Sequence, residues 1–371
     1  GLDKVGVDDG FFELGGDSIV SIQLVARARA VGLVFSARDV FERRTVAGLA
    51  SVARAVDGSV VVGSAVSGVG GVELMPIVEW LRDRGGPVDG FAQSVLLRVP
   101  AGLRLDDLRA AVGVVVDHHD ALRLRLDPAG VWGLEVLSVG GVAVAECVRR
   151  VDVAGVSGVA LAELMRVEAV GARERLVPAA GVMVQVVWFD AGPGEQGRLL
   201  MVVHHLAVDG VSWRILVPDL ASAWEAVVAG REAALPVVGT SVREWARQLR
   251  EEAGQGRRVA ELELWCDVLD GEHVPLAGSL DPVRDVWGSA SMLSAVLEPK
   301  VAGALLTSVP AAFHGGVNDA LLAALGVAVA RWRRRSSVLV ELEGHGREEL
   351  GAGTDLSRTV GWFTSLFPVR L

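Results

Sequence analysis

The chain has 371 residues, of which 51% are hydrophobic, and its formal net charge is −10. Its apolar runs are broken by Gly, Asp or Arg before they reach the roughly 18 residues that a membrane-spanning helix needs, and its interspersed charges argue against a basic nucleic-acid groove. Because no secretory signal is evident, we expect a soluble cytoplasmic protein that binds neither membranes nor nucleic acids.

Residues 1–56 are predicted to form a small helical unit. The stretch DSIVSIQLVARARAVG has apolar residues at helical spacing, with Asp17 placed to cap the helix and Gly32 placed to end it. Two shorter helical patterns begin at Ser36 and Thr45, which are both favoured capping residues. This unit has too little core to be a catalyst by itself.

The sequence changes character after this unit. Residues 57–71 are rich in Val, Gly and Ser and are predicted to be a linker. Residues 72–371 then mix strand and helix patterns without strict βαβ spacing, which indicates an α+β fold. We expect a first lobe over about 72–235, and connecting helices with a second lobe over about 236–371. The predicted strands cover 94–100, 121–127, 182–190, 198–205, 291–299 and 337–342.

Metal and dissociable-cofactor sites are not expected. Cys147 and Cys266 are two lone cysteines without paired spacing, so neither a disulfide framework nor a zinc site is predicted. Glycine-rich phosphate loops and lysine contexts typical of pyridoxal enzymes are also missing from the sequence. A substrate that arrives covalently attached would explain this pattern.

The motif LGGDSI places Ser18 at the start of the first predicted helix. By themselves, Asp17 and Ser18 could simply cap that helix. The longer stretch VGVDDGFFELGGDSIVSIQLVARARAVG, however, resembles the peptidyl carrier domain of nonribosomal peptide synthetases. The resemblance implies a helical bundle whose first helix is missing here, and a 4′-phosphopantetheine arm on Ser18, added by a phosphopantetheinyl transferase. The positive end of a helix suits such a phosphodiester.

A second motif, HHLAVDGVSWRIL, follows the predicted strand over 198–205. A bare histidine pair at a strand end is usually structural, but the full string resembles the HHxxxDG signature of the condensation and epimerization superfamily. Its continuation SWRIL is similar to the epimerization branch. The resemblance implies a two-lobed, chloramphenicol-acetyltransferase-like fold, in which His205 is catalytic and faces a channel between the lobes, while His204 is structural.

The same resemblance assigns roles to the residues that follow the histidine pair. Asp209 corresponds to a scaffold aspartate that forms a salt bridge, and Arg123 is its best-matching partner, with Arg125 as the alternative. Gly210 is expected to allow a tight backbone turn beside the channel. Trp213 is a candidate for contact with the substrate or with a developing oxyanion.

The third motif, EGHGRE, follows the predicted strand over 337–342. Glycines and polar residues could form an ordinary surface turn here, but the string resembles a motif of the epimerization family, in which Glu343 is the catalytic glutamate. The stretches FHGGVNDALLAAL and RTVGWFTSLFPV also resemble that branch, and Asn318 in the first is a candidate oxyanion contact. The resemblance further implies that the second lobe continues beyond the sequence.

Together these motifs predict epimerization of a carrier-bound residue. Removing an α-proton from a thioester and returning it to the opposite face is achieved most simply by two acid/base groups, here His205 and Glu343. Burial of Glu343 would favour its protonated form when a proton is needed. Two alternatives remain: a condensation domain that forms a peptide bond, and a non-catalytic carrier module. The expected partners are an upstream adenylation domain, which selects the amino acid, and a downstream condensation domain.

Overall fold

The computed structural model describes residues 4–16, 18–55, 68–127, 132–271, 281, 283–313, 315–334, 336–348, 350 and 354–371. The chain divides into two compact units. The first contains residues 1–255 and 345–365, and the second contains residues 256–344 and 366–371. Within the described residues, no helix is long and apolar enough to cross a membrane.

The N-terminal part of the first unit is helical, as the sequence predicted. Its elements are α1 (Ser18–Ala30), β1 (Leu33–Val34), α2 (Ala37–Arg43), α3 (Val46–Ala50) and β2 (Arg54–Ala55). Ser36 caps α2 by accepting a hydrogen bond from the Asp39 amide at 3.1 Å, and Thr45 caps α3 in the same way. Gly32 has a positive φ of 80° just after α1, as a helix-ending glycine requires. The predicted cap Asp17 lies outside the described residues.

This helical part has its own small core. The buried side chains come from α1, α2, α3 and the segment before α2; they are Val25, Ala28, Phe35, Val40 and Leu49. The predicted linker over 57–71 lies mostly outside the described residues. Its last two glycines, Gly70 and Gly71, already belong to the next strand.

The remainder of the first unit is a mixed α/β structure, in agreement with the predicted fold class. Its strands are β3 (Gly70–Val72), β4 (Ala92–Val99), β5 (Leu124–Asp127), β6 (Gly133–Val136), β7 (Val148–Asp152), β8 (Val184–Asp190) and β9 (Gly197–His204). Its helices are α4 (Pro76–Arg84), α5 (Leu105–His118), α6 (Val144–Cys147), α7 (Gly158–Glu174), α8 (Trp213–Val228) and α9 (Val242–Ala253).

A four-stranded sheet organises this region. Its strand order is β4-β9-β8-β7, with β7 parallel to β8 and the other neighbours antiparallel. Every residue of β8 is buried, which is typical of a central strand covered on both faces. Phe189 and Val202 pack with Ala172 and Leu176 from the α7 region in an apolar cluster. The buried sheet thereby fixes where the end of β9 emerges.

The second unit contains α10 (Gly256–Val259), α11 (Leu262–Leu269), α12 (Pro299–Leu306), α13 (Ser308–Phe313), α14 (Val317–Arg333), β10 (Leu339–Gly344) and β11 (Ser365–Arg370). Strands β10 and β11 form a two-stranded sheet. The predicted strand over 291–299 is wrong: residues 291–298 form no strand, and Met292, Leu293 and Val296 are almost fully exposed. A strand pattern needs a pairing partner to become a strand.

A buried polar cluster joins α5 and α8 to the segment over 354–365. Nε2 of His119 donates to Asp219 at 2.9 Å, and Arg358 donates to both oxygens of the same carboxylate. Although burial acts to raise the pKa of Asp219, these hydrogen bonds hold it below its ordinary value. His118, next to His119, donates to the Pro236 carbonyl at 2.9 Å. Nε2 of each histidine and both oxygens of Asp219 are therefore engaged by protein partners.

We predict that Asp219→Asn destabilises the first unit by about 3 kcal/mol, because Arg358 is left partly buried without its counter-charge. The urea dependence of unfolding, followed by circular dichroism, measures this change. Glu163→Gln is the matched control, since its ion pair with Arg166 is exposed and exposed pairs add little stability. Equal shifts of the urea midpoint in the two variants would contradict the structural role of Asp219.

Candidate active site

The histidine pair lies where β9 leaves the sheet. Strands β9 and β4 pair in antiparallel register, with Gln93 opposite Val203 and Ala92 opposite His204. The His205 amide then donates to the Phe91 carbonyl at 2.8 Å, and residues 205–207 form a short 3-10 helix. The sheet register therefore brings Phe91 and Gln93 against His205.

His204 is fully buried and both of its ring nitrogens have partners. Nε2 donates to the Val88 carbonyl at 2.8 Å, and Nδ1 accepts from the Leu206 amide at 3.2 Å. This pattern requires the neutral ring with its proton on Nε2. Burial lowers the pKa of His204 to about 4. These contacts hold the His204 ring within the loop, and its purely structural role stays a prediction.

His205 is half-buried among aromatic rings. Its imidazole is stacked on Phe91, with ring centroids 4.7 Å apart and planes 10° apart, and Trp362 approaches to 4.7 Å at 53°. Nε2 lies 2.9 Å from Nε2 of Gln93, and Oε1 of Gln93 accepts from Trp213 Nε1 at 2.8 Å. The ring thus contacts two separate parts of the chain, and Trp213 holds the Gln93 amide against it.

Asp209 forms a buried ion pair with Arg347, which belongs to the EGHGRE string. Nη2 of Arg347 lies 3.0 Å from each carboxylate oxygen, and Nη1 donates to the carbonyls of Leu356 and Thr359. Burial lowers the pKa of Arg347, while Asp209 acts to raise it. The Ser212 amide also donates to Asp209, at 2.8 Å. Asp209 thereby connects the histidine loop to Arg347, and its scaffold role stays a prediction.

The predicted partner of Asp209, Arg123, is wrong. The guanidinium of Arg123 is buried at the end of α5, where it donates to the carbonyls of Val116 and Asp117 and pairs with Asp120 at 2.8 Å. Carbonyls at a helix C-terminus lack intrahelical donors, and a cation satisfies them. Arg123 is therefore a helix cap.

Gly210 lies in a turn over residues 210–212, as expected, and the substrate-contact role of Trp213 stays a prediction. Gly210 does not have a positive φ, and an added Cβ would meet nothing within 4 Å, so the structure gives no conformational reason for glycine there. The indole N–H of Trp213 is bonded to Gln93, which leaves it no second donor for an oxyanion. Asn318 is exposed on α14, and its role stays a prediction.

Glu343 is the penultimate residue of β10, so the predicted strand-end position is confirmed. It is exposed, and the burial that we expected for it is not found. Glu343 lies in the second compact unit, whereas His205 and Arg347 lie in the first. The boundary between the two units thus falls inside the EGHGRE string.

Four residues around the site were missed by sequence reasoning. Arg347 and Trp362 belong to the EGHGRE and RTVGWFTSLFPV motifs. Considering the arginine of the first motif as a partner for Asp209, and the tryptophan of the second as a neighbour of His205, could have identified them. Phe91 and Gln93 carry no sequence signal of this kind. Only the register between β4 and β9 reveals that they contact the catalytic candidate.

Comparison with known families gives two matches. Residues 1–52 match the family described as Phosphopantetheine attachment site, and residues 88–371 match the family described as Condensation domain. The chain belongs to the condensation-domain family. The second match covers most of the chain, and the first confirms the resemblance of the N-terminal unit to a carrier domain.

Solved structures agree with membership of the condensation-domain family. The epimerization domain from the third module of tyrocidine synthetase B is 30% identical, with a TM-score of 0.67 over 82% of this chain and 67% of that chain. The first condensation domain of the calcium-dependent antibiotic synthetase is 18% identical, with a TM-score of 0.59 over 81% of this chain and 69% of that chain, and shares the fold. The expected two-part architecture, a carrier unit before a chloramphenicol-acetyltransferase-like fold, is thereby confirmed.

Curated relatives are much longer proteins. A linear gramicidin synthase from Brevibacillus parabrevis is 40% identical over 381 aligned residues, which cover 100% of this chain and 7% of that protein. Tyrocidine synthase 1 from the same organism is 30% identical, over 100% of this chain and 34% of that protein. This condensation-family chain therefore spans a small part of the synthetases that it matches.

The carrier match indicates a covalently attached 4′-phosphopantetheine, for which Ser18 stays the predicted attachment point. Ser18 is the first residue of α1, a helix of 13 residues whose first turn, within the described part of the chain, contains no acidic residue. Gly15, three residues before Ser18, has a positive φ of 89°. The partial positive charge of a helix N-terminus favours a phosphodiester at this position.

The burial of neutral His204 predicts a pH-dependent difference in stability. Its pKa is about 4 in the folded chain and 6.5 as the reference value, so its stabilising contribution is complete above pH 6.5 and is lost as the pH falls through 4. Over that interval the wild type should lose about 3 kcal/mol more free energy of unfolding than His204→Asn. Urea unfolding at a series of pH values measures this difference, and parallel pH profiles would contradict it.

Proposed function

We propose that this chain epimerizes the α-carbon of an L-aminoacyl or peptidyl thioester tethered to its own carrier domain. The observation that carries the proposal is the 30% identity to a solved epimerization domain, compared with 18% for a condensation domain of similar fold. The EGHGRE and SWRIL strings support the same branch of the family. In a nonribosomal peptide synthetase, this reaction would supply a D-configured residue for the next condensation.

The proposed chemistry requires one proton to leave and one to return. The phosphopantetheine arm on Ser18 would supply the substrate as a thioester, which makes the α-proton more acidic. One acid/base group takes the α-proton, the electron pair passes to the thioester oxygen, and a second group donates a proton to the opposite face of the carbon. The atoms balance without an oxidant, a reductant or an acceptor amine.

We assign the two proton-transfer roles to His205 and Glu343. Support for His205 comes from its position at the end of β9, where Phe91, Trp362 and Gln93 hold the ring. Support for Glu343 comes from its place at the end of β10, four residues before Arg347, whose ion pair with Asp209 belongs to the histidine loop. Its exposure is compatible with a carboxylate that meets a substrate delivered on an arm.

When the protein is loaded with an L-aminoacyl thioester, we expect that thioester to become a mixture of L and D forms in the absence of any acceptor amine. When the tethered group is a single aminoacyl residue, the free energies of its L and D forms differ only through protein contacts. A ratio of L to D near one is therefore expected. Chiral chromatography of the hydrolysed thioester measures the ratio. Formation of a peptide bond with an added acceptor, without inversion at the α-carbon, would instead favour the condensation reaction.

A phosphopantetheinyl transferase and coenzyme A should add one arm to the protein, and Ser18→Ala should abolish the addition. Intact-protein mass spectrometry measures the mass increase. Ser36→Ala is the matched control, since Ser36 caps α2 in the same unit and should not alter the modification. A single addition that persists in Ser18→Ala would overturn the assignment of the attachment site.

A further inference from the structure

The side chain of Gln93 links two residues of the histidine motif. Its amide lies between the indole of Trp213 and the imidazole of His205, at 2.8 Å and 2.9 Å. Gln93 extends from β4, whereas Trp213 is the first residue of α8 and His205 follows β9. The three side chains therefore form a short hydrogen-bonded chain that crosses between elements.

The orientation of the Gln93 amide follows from the chemistry of its neighbours. An indole nitrogen can only donate a hydrogen bond, so the group facing Trp213 must be the amide oxygen. The amide nitrogen, which can only donate, then faces Nε2 of His205. If the amide were turned over, two N–H groups would oppose each other at 2.8 Å.

We propose that Gln93 is a positioning residue that holds His205 in its neutral form, with Nε2 as an acceptor and the ring proton on Nδ1. Trp213 acts one step further away by fixing the Gln93 amide. When Nε2 takes up a proton, two donors face each other, and the contact with Gln93 is lost. Gln93 therefore favours the form of His205 that can accept a proton and favours release of that proton after transfer.

Charged groups that the structure describes in and near the histidine loop act on other partners. The Asp209 carboxylate is bound by Arg347. His204 is buried and neutral at the pH of most assays, and a charge on His205 would further disfavour its ionisation; Asp89 acts in the opposite direction on His204. The contact with Gln93 thus distinguishes the two forms of the His205 ring at Nε2.

His204 offers an internal reference for a test. Its proton must lie on Nε2, because that nitrogen donates to Val88 and Nδ1 accepts from Leu206. The two adjacent histidines are therefore expected to be opposite tautomers. The ¹⁵N chemical shifts of imidazole nitrogens separate protonated from unprotonated positions. They can be measured on His204 and His205 whether or not the protein is active.

The experiment is ¹⁵N NMR of the whole chain labelled on its seven histidines, at a pH where His205 is neutral, with His205→Asn used to assign the signals. The wild type should carry the His205 proton on Nδ1. Gln93→Glu, whose carboxylate can only accept, should move a proton onto Nε2. Trp213→Phe should produce a mixture, whereas Trp80→Phe, a matched indole loss elsewhere, should change nothing. Unchanged His204 signals show that each variant is folded.

A wild-type proton on Nε2 of His205, or no change in Trp213→Phe, would overturn the proposal. Its kinetic meaning rests on the proposed function: exchange of the substrate α-proton should slow by about tenfold or more in Gln93→Glu, because an Nε2 that already carries a proton cannot accept another. A wild type that shows the expected His205 tautomer but no exchange of the α-proton would contradict the proposed reaction while supporting the role of Gln93. A normal exchange rate in a Gln93→Glu protein with protonated Nε2 would overturn that role.

Discussion

The buried ion pair between Asp209 and Arg347 is the interaction on which the site depends. It joins two strings that lie more than a hundred residues apart, and removing one member of such a pair typically costs about 3–5 kcal/mol because the other charge stays buried. The Asp209 carboxylate also accepts a hydrogen bond from the Ser212 amide. Ser212 Oγ in turn accepts a hydrogen bond from the Gly361 amide at 3.1 Å. Gly361 precedes Trp362, so the pair and the aromatic contact to His205 belong to one connected structure.

The two histidines illustrate how neighbours in sequence acquire different chemistry. His204 is sealed in the sheet with both nitrogens satisfied, so it can neither reach a substrate nor ionise without loss of stability. His205, one residue later, leaves the strand and is half-buried between Phe91 and Trp362. A buried histidine directly before the proposed catalytic one keeps the ring of His205 close to a rigid strand, which limits its freedom of position.

Sequence patterns predicted the elements whose causes are local. Ser36 and Thr45 cap helices because their hydroxyls reach amides three residues on, and the strand that delivers His205 follows from its continuous apolar run. Long-range choices were not predictable in the same way. Arg123 and Arg347 are both arginines near suitable acids, and only the folded chain shows that the first caps α5 while the second reaches Asp209. The strand predicted for the apolar stretch over 291–298 did not form, because a strand also requires a pairing partner.

The most direct test of the two-base account is exchange of the α-proton in deuterated water, with carriers loaded separately with L and D residues. Neighbouring charges and hydrogen bonds set how well each group transfers a proton, and one such group is worth about 10²–10⁴-fold in rate. His205→Ala and Glu343→Gln should each block inversion while leaving exchange from one enantiomer, and the enantiomer spared should differ between the variants. Loss of exchange from both enantiomers in His205→Ala, with near-normal behaviour in Glu343→Gln, would contradict the account.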